Sequence, residues 1–212
     1  MFEFLIKKLK AHPRKIVFTE GTDPRILEAS ARLLSGTFLT PVLVGNADEI
    51  TKAAEEAGFN IRGAEIMDPA IFPDMDKMVA LMVELRKGKM TEEQCRKSLS
   101  QANYFGTMLV KMGYADALLG GATYSTADTV RPALQIIKTK HITSSVGGHA
   151  NTFIFPDINA GNIGYKICQR MGNFDAYGPI LQGLNAPIND LSRGCNALEV
   201  YSMAIITAGL VD

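Results

Sequence analysis

Serine and arginine side chains beside glycine-rich turns are the residues of this sequence best suited to chemistry. Ser125 and Arg131 follow the pair Gly120–Gly121, and Ser192 and Arg193 stand just before a long helical pattern. Glycine lets a ligand approach the backbone, a helix N-terminus offers free N–H groups, and an arginine can bind an anion with two parallel hydrogen bonds. These residue types favour an oxyanion or phosphate site. From spacing alone, an ordinary capped helix with a solvated arginine is the simpler alternative for each segment.

Glu199, Arg170 and Arg86 are candidates for supporting roles. Glu199 lies one turn inside the last helical pattern, where it could act as a base if desolvated or could simply favour the positive helix end. Arg170 follows a glycine-bearing turn at 159–164, and Arg86 ends a helical pattern in a basic segment. A solvated position on a helix is the alternative for both arginines. Cys195 stands near a helix N-terminus, which favours a thiolate, although a structural thiol is the simpler interpretation.

The elements that must position these residues alternate between short apolar segments and amphipathic helices. Strands are predicted at 15–19, 41–44, 64–67, 117–121, 151–155 and 178–181. Helices are predicted at 24–34, 47–57, 76–86, from 91 onwards and at 197–210. This alternation predicts an α/β fold of three layers, α/β/α, with a mostly parallel sheet. In such folds, ligands bind beyond the carboxyl ends of the strands.

Several helix starts are visible as capping residues. Asp23 is the predicted N-cap of the helix that begins with Pro24, and Thr91 is followed three residues later by Gln94, as in a capping box. Asn196 or Ser192 is the predicted cap of the last helix. These caps place the polar turns directly at helix N-termini.

Composition excludes several classes of protein. Lys plus Arg and Asp plus Glu are both 22, so the net charge is zero, which argues against a nucleic-acid arm or a polybasic membrane patch. A hydrophobic fraction of 47% excludes a disordered chain, and no apolar run approaches the roughly 20 residues of a membrane span. The three cysteines are far apart and the three histidines are dispersed, so neither a metal site nor a disulfide framework is predicted.

Long motifs in the sequence strongly resemble the phosphate acetyltransferases, or phosphotransacetylases. The motif STADTVRPALQIIKT at 125–139 and the motif NDLSRGC at 189–195 carry most of this resemblance. Further segments agree at 18–25, 103–108, 155–157, 160–166 and 178–183. The resemblance covers nearly the whole chain.

The resemblance implies reversible transfer of an acetyl group between acetyl-CoA and phosphate, which gives acetyl phosphate and CoA. It implies CoA and phosphate as substrates, no bound cofactor or metal, a cytoplasmic location and a homodimer. Ser192 would stabilise the transition state, Arg193 beside it in the catalytic set would bind phosphate or CoA, and Glu199 stands where the family has the aspartate that deprotonates the CoA thiol. Ser125 would orient phosphate. Phosphate or CoA would be bound by the remaining candidates, which are Arg131, Arg86 and Arg170.

Two departures from the family qualify this prediction. Glu199 is one methylene longer than the family aspartate, and a base must lie within hydrogen-bond distance of its proton. In addition, after residue 139 the family continues into a second domain of roughly 100 residues that is absent here. The chain is therefore predicted to be the first domain only of an isocitrate dehydrogenase-like fold, in which segments 1–139 and 144–212 join near 140–143.

This truncation leaves more than one function open. The main prediction is an acetyltransferase whose activity is reduced by the loss of the second domain. The alternatives are an isolated non-catalytic domain that keeps a phosphate- or CoA-binding surface, and a transferase of another acyl group such as butyryl.

Overall fold

The computed structural model describes residues 2–138, 155–172 and 174–211. The chain forms two compact units, one made of Met1–Lys140 with Gly178–Asp212 and the other of His141–Tyr177. The strands are β1 (Arg14–Phe18), β2 (Leu39–Val44), β3 (Glu65–Met67), β4 (Ala117–Gly120) and β5 (Ile188–Asp190). The helices are α1 (Glu3–Ala11), α2 (Pro24–Gly36), α3 (Ala47–Ala57), α4 (Met75–Arg86), α5 (Glu92–Leu99), α6 (Ala102–Lys111), α7 (Thr126–Pro132), the π-helix Ala133–Ile137, α8 (Ile158–Met171) and α9 (Ala197–Gly209).

The first unit is built on a parallel sheet with the strand order β3-β2-β1-β4-β5. The central strand β1 has a fully buried run of apolar residues, Ile16, Val17 and Phe18. A parallel strand that is covered on both faces needs such a continuous run, because neither side of it meets water. The predicted strands at 15–19, 41–44, 64–67 and 117–121 correspond to β1, β2, β3 and β4.

Helices cover both faces of this sheet. On one face α2 and α9 pack together and α1 packs on α9, while on the other face α4, α5, α6 and the π-helix share one hydrophobic core with β1, β2 and β4. The three-layer α/β/α architecture with a parallel sheet is thus confirmed. The relation to the isocitrate dehydrogenase-like fold stays a prediction.

The predicted helix caps are confirmed at three helices. The Asp23 carboxylate accepts a hydrogen bond from the Arg25 N–H at the start of α2. Thr91 and Gln94 form a capping box at α5. Asn196, rather than Ser192, is the cap of α9. Local hydrogen bonding therefore fixes where these helices begin.

The prediction of a strand at Gly178–Leu181 is wrong. Pro179 has no N–H to donate to a strand ladder, and the Leu181 N–H donates instead to the side chain of Asn189 at 2.8 Å. The strand beside β4 is β5, in a segment for which no strand is predicted from the sequence. The turn predicted at 159–164 is also wrong, because these residues lie inside α8, which Asp157 caps.

Other predictions concern residues that the structure does not describe. The join near 140–143 lies outside the described residues, as does the strand at 151–155 except for its last residue. The proposed domain organisation therefore stays a prediction.

In the first unit, the chain directly after the π-helix lies next to the chain directly before β5. The Asn185 N–H donates to the carbonyl of Lys138 at 3.0 Å, and the Asn185 side-chain amide donates to the carbonyl of Ile137 at 3.1 Å. Lys138 directly follows the π-helix, and Asn185 stands three residues before β5. Hydrogen bonds therefore fasten together the two ends of the long connection between β4 and β5.

Candidate active site

Three loops meet at the carboxyl edge of the sheet. Because β1, β4 and β5 are parallel neighbours, each of them ends at this edge and is followed by a turn into a helix N-terminus. The loop 19–23 leads from β1 to α2, the loop 121–125 leads from β4 to α7, and the loop 191–196 leads from β5 to α9. The sequence candidates Ser125, Ser192 and Arg193 stand on two of these loops, at the edge where parallel sheets bind ligands.

Glu20 fixes the shape of the loop between β4 and α7. Its carboxylate accepts hydrogen bonds from the backbone N–H of Gly121 at 2.9 Å and of Thr123 at 3.2 Å. The Thr19 hydroxyl donates to the same carboxylate at 2.8 Å and lies 2.6 Å from the hydroxyl oxygen of Tyr124. The first loop of the site therefore holds the second one.

Asp190 connects β5 to the start of α7. This side chain is almost fully buried and accepts hydrogen bonds from the hydroxyls of Thr126, at 2.6 Å, and Thr129, at 2.8 Å. Gly121 has a φ of +101°, and a Cβ at this position would collide with the Asp190 carboxylate. The glycine is needed both for its backbone angle and for the close approach of the acid.

Burial raises the pKa of both the Glu20 and the Asp190 carboxyl groups, because a charged carboxylate loses hydration inside the protein. The hydrogen bonds that each receives act in the opposite direction without cancelling this effect. Burial likewise raises the pKa of Tyr124, so its phenol stays neutral. These groups form a buried polar layer under the loops.

Arg25, from the first turn of α2, connects all three loops. Its guanidinium binds the Asp23 carboxylate at 2.7 Å and 2.9 Å and donates to the Ala122 carbonyl at 3.0 Å. It also donates to the carbonyls of Arg193 at 2.9 Å and Cys195 at 3.3 Å. Although burial acts to raise it, these hydrogen bonds lower the pKa of Asp23, so the pair remains charged.

Ser192 and Arg193 occupy an exposed turn. The Ser192 carbonyl accepts the Cys195 N–H at 2.9 Å, and the Ser192 hydroxyl oxygen accepts the Gly194 N–H at 3.3 Å. Within the described part of the chain, no group accepts a hydrogen bond from the Arg193 guanidinium. Cys195 is buried, and this burial raises the pKa of its thiol, which fits a structural cysteine better than a nucleophile.

Glu199 lies at the start of α9 as part of a capping box. One carboxylate oxygen accepts the Asn196 N–H at 3.1 Å, and the Glu199 N–H donates to the Asn196 side chain at 2.9 Å. Glu199 therefore has the role at the positive end of the helix that was one of its two interpretations from the sequence. The second carboxylate oxygen has no hydrogen-bond partner among the described residues.

Ser125 and Arg131 lie at the two ends of α7 and share one partner. The Ser125 hydroxyl donates to the Asp128 carboxylate at 2.7 Å, and the Arg131 guanidinium lies 3.9 Å from the same carboxylate. The Arg131 side chain is 59% exposed, so this ion pair is weak and easily exchanged for an anion.

Arg86 and Arg170 lie on other elements. Arg86 is the last residue of α4, which packs on the π-helix after α7, and its buried Nε has no hydrogen-bond partner in the described part of the protein. Arg170 is exposed on α8 and belongs to the second compact unit. The structure therefore brings Ser125, Arg131, Ser192, Arg193 and Glu199 to one edge of the sheet, and it leaves Arg170 without a defined position relative to them.

The residues that organise the site were missed by reasoning from the sequence. Asp23 and Arg25 were visible in a turn before a helix, but only the cap was predicted. Asp190 could have been found as an acid two residues before Ser192. Glu20 offers a similar signal, since it follows the apolar strand β1 by two residues.

Neither a metal-binding cluster nor a membrane-spanning helix is present among the described residues. No group of three or more His, Cys, Asp or Glu side chains in this part of the chain could hold a metal ion. No helix among residues 2–138, 155–172 and 174–211 is long and apolar enough to cross a membrane.

Comparison with known proteins identifies the family. A family model described as phosphate acetyl/butaryl transferase matches residues 1–146 and 138–208. The chain belongs to this family. The resemblance inferred from the motifs is thereby confirmed, and the family is one of enzymes.

Relatives of this chain are named phosphate acetyltransferases. The chain is 37% identical to the phosphate acetyltransferase of Bacillus subtilis over 316 aligned positions, which cover 98% of each protein. It is 33% identical to the phosphate acetyltransferase of Staphylococcus epidermidis over 321 positions, again with 98% of each covered.

Solved structures of the family have the same fold. A phosphotransacetylase from Streptococcus pyogenes is 35% identical, with a TM-score of 0.89 over 99% of this chain and 97% of the other. The EutD phosphotransacetylase from Staphylococcus aureus is 32% identical, with a TM-score of 0.86 over 98% and 97%.

These family members are longer than the present chain. The alignment with the Bacillus subtilis protein has 316 positions and the chain has 212 residues, so at least 104 positions (316 less 212) have no residue here. The two matched stretches of the family model overlap at 138–146, around the join that the sequence predicts.

Proposed function

We propose that this protein is a phosphate acetyltransferase that transfers an acetyl group reversibly between acetyl-CoA and phosphate. The observation that carries the proposal is that the turn with Ser192 and Arg193, and the helix α7 with Ser125 and Arg131, both follow strands at the carboxyl edge of the sheet. The two pairs stand after neighbouring parallel strands, in a chain whose relatives bear this name.

The free donors at this edge suit an anionic substrate. Among the described residues, nothing accepts a hydrogen bond from the Arg193 guanidinium, and the one ion-pair partner of Arg131 is the partly exposed Asp128. An arginine binds phosphate with two parallel hydrogen bonds, and the N-termini of α7 and α9 add partial positive charge. We assign phosphate binding to these two arginines and phosphate orientation to Ser125. Arg86 and Arg170 are assigned to phosphate or CoA.

The chemistry needs one proton acceptor and one oxyanion donor. Toward acetyl-CoA, a base removes the CoA thiol proton and the sulfur bonds to the acetyl carbon of acetyl phosphate. The bond from that carbon to the phosphate oxygen breaks, and inorganic phosphate leaves. The carboxylate oxygen of Glu199 that does not bind the Asn196 N–H accepts the thiol proton. The Ser192 hydroxyl donates to the developing oxyanion, a contribution typically of about 3 kcal/mol. No residue is assigned to a metal or a resident cofactor.

The positions that are absent from this chain bear on its activity. We infer that residues 1–139 and 144–212 correspond to one domain of the longer relatives, and that the absent residues form the other wall of the substrate cleft. Activity of this short form is therefore expected to be weak. The family resemblance further supports a cytoplasmic enzyme that forms a homodimer.

The missing positions also favour a second candidate function, that of a non-catalytic domain that keeps a phosphate- or CoA-binding surface. The test combines turnover with binding. Formation of acetyl phosphate from acetyl-CoA and phosphate is followed by release of CoA thiol, with the Bacillus subtilis enzyme as the positive control. Titration calorimetry with CoA and with phosphate is performed on the wild type, on Arg193→Gln, and on Arg32→Gln as a matched surface control.

Each outcome selects one of these functions. Binding that is lost in Arg193→Gln, together with measurable turnover, supports the transferase. Binding without turnover supports the non-catalytic domain. Faster turnover with butyryl-CoA than with acetyl-CoA identifies a butyryl transferase. Absence of binding to either ligand refutes the proposal, and turnover equal to that of the Bacillus subtilis enzyme refutes the role given to the missing positions.

A further inference from the structure

All five N–H groups of the Arg25 guanidinium are used inside the protein. Nε and one N–H of Nη2 bind the two carboxylate oxygens of Asp23, and the second N–H of Nη2 binds the Ala122 carbonyl. The two N–H groups of Nη1 bind the carbonyls of Arg193 and Cys195. A guanidinium has five N–H donors, so none is left for an anionic ligand.

The acceptors come from all three loops of the site. Asp23 belongs to the loop after β1, Ala122 to the loop after β4, and Arg193 and Cys195 to the loop after β5. A single planar group thus sets the distances between loops that are 97 and 168 residues away along the chain. These contacts act together with those of Glu20 to fix how the loops face one another.

The contacts with Arg193 and Cys195 act on the turn that presents the substrate-binding side chains. These two carbonyls flank Gly194, and within the turn itself the Ser192 carbonyl accepts the Cys195 N–H and the Ser192 hydroxyl oxygen accepts the Gly194 N–H at 3.3 Å. Fixing both carbonyls fixes the backbone orientation at Arg193. A loss of these contacts frees the turn to rotate its side chains away from the sheet edge.

We propose that Arg25 is a positioning residue, which holds the turn Ser192–Cys195 against the loop 121–125 so that Arg193 can bind the anionic substrate. The inference rests on the function proposed above. It differs from a direct role in anion binding, which would need a free N–H donor. Lysine cannot replace Arg25 in this role, because one ammonium group cannot reach three loops in the planar geometry of a guanidinium.

The experiment compares Arg25→Lys and Arg25→Gln with the control Arg32→Gln. Arg32 lies on the same helix, and its ion pair with Glu28 is exposed. Asp23→Asn is the fourth variant, because asparagine still caps α2 but lacks the charge that orients Arg25. Amide hydrogen exchange of the peptide 191–197 measures the order of the turn, and titration with inorganic phosphate and with CoA measures binding. Circular dichroism confirms that each variant is folded.

We expect both Arg25 variants to exchange the 191–197 amides on the order of 10-fold faster and to bind phosphate on the order of 10-fold more weakly, as loss of orientation does. Asp23→Asn should shift both quantities in the same direction by less, and Arg32→Gln should shift neither. If Arg25→Gln does not fold, Arg25→Lys and Asp23→Asn still provide the comparison.

Three results would overturn the proposal. Wild-type exchange and binding in Arg25→Lys would show that charge alone suffices. Weaker binding in Arg25→Gln with unchanged exchange would show that Arg25 contacts the anion itself. Faster exchange with unchanged binding would show that the order of the turn is irrelevant to binding. If the wild type binds neither probe, the proposed function fails, and the exchange data still decide whether Arg25 orders the turn.

Discussion

Replacing Asp190 should destabilise the protein more than replacing any exposed acid of the same loops. The side chain is 1% exposed and accepts two hydroxyl hydrogen bonds, from Thr126 and Thr129. A hydrogen bond to a charged group contributes about 1.5–3 kcal/mol to stability. Thr126 is exposed and can bind water instead, whereas Thr129 is 2% exposed and cannot.

From these values we expect Asp190→Ala to lower the free energy of unfolding by about 3 kcal/mol, toward the lower end of the sum for two bonds. Asp190→Asn keeps the shape and can exchange hydrogen bonds with both hydroxyls, so we expect a loss of about 1 kcal/mol. Asp128→Ala removes a half-exposed carboxylate and should cost less than about 1 kcal/mol.

Urea unfolding at pH 7 and 25 °C measures these differences, and a double-mutant cycle with Thr129→Val assigns them to one bond. The cost of Asp190→Ala should fall by roughly half when Thr129→Val is already present. An Asp190→Ala cost below about 1 kcal/mol, or an identical cost in both backgrounds, would falsify this account of the link between β5 and α7.

Three further predictions concern the same framework. Gly121→Ala should lower the free energy of unfolding by about 2 kcal/mol, because of the positive φ and the collision with Asp190, and urea unfolding gives the value; a neutral effect would contradict the geometry. Lys8→Met should lower the melting temperature by several degrees. The Lys8 ammonium donates to the carbonyls of Gly209, at 3.0 Å, and Val211, at 2.9 Å, at the end of α9. The control Lys7→Met should leave the melting temperature unchanged. Burial raises the pKa of Glu20 above 4.5, so its contribution to stability is present below about pH 4.5 and is lost as the pH rises through the folded-state pKa. Glu20→Gln cannot titrate, so its stability relative to wild type should increase with pH over that window, and a constant difference from pH 4 to 8 would be evidence against a raised pKa.

The parts of the fold that the sequence predicts well are those that local chemistry determines. The strands β1 and β4 contain continuous apolar runs, at 16–18 and 117–119, and Asp23, Thr91 and Asn196 bond to N–H groups within three residues of themselves. Such signals lie inside a short window, so a single sequence suffices to read them.

The strand β5 shows why the remainder could not be predicted in this way. Asn189 and Asp190 are polar yet almost fully buried, because Asn189 donates to Thr207 at 2.9 Å and Asp190 accepts from Thr126 and Thr129. These partners come from helices elsewhere in the chain. A strand whose polar side chains are satisfied only by distant residues has the local pattern of a loop.

The candidate site shows the same division. The family motifs and the helix starts predicted the edge at which Ser125, Ser192 and Arg193 stand, although their roles stay predictions. The carbonyl acceptors of Arg25 could not be predicted, because every residue has a carbonyl and only the folded backbone decides which ones converge.

The hydrogen bonds between Asn185 and the carbonyls of Ile137 and Lys138 have an evolutionary consequence. Because the two ends of the connection are hydrogen-bonded to each other, the pairing of β4 with β5 does not depend on the number of residues between them. Doubling the length of a loop costs only about 0.6 kcal/mol in closure entropy. An ancestral gene could therefore gain or lose a hundred codons at this point while β4 and β5 kept their pairing, and the same point is a natural position for grafting a foreign domain.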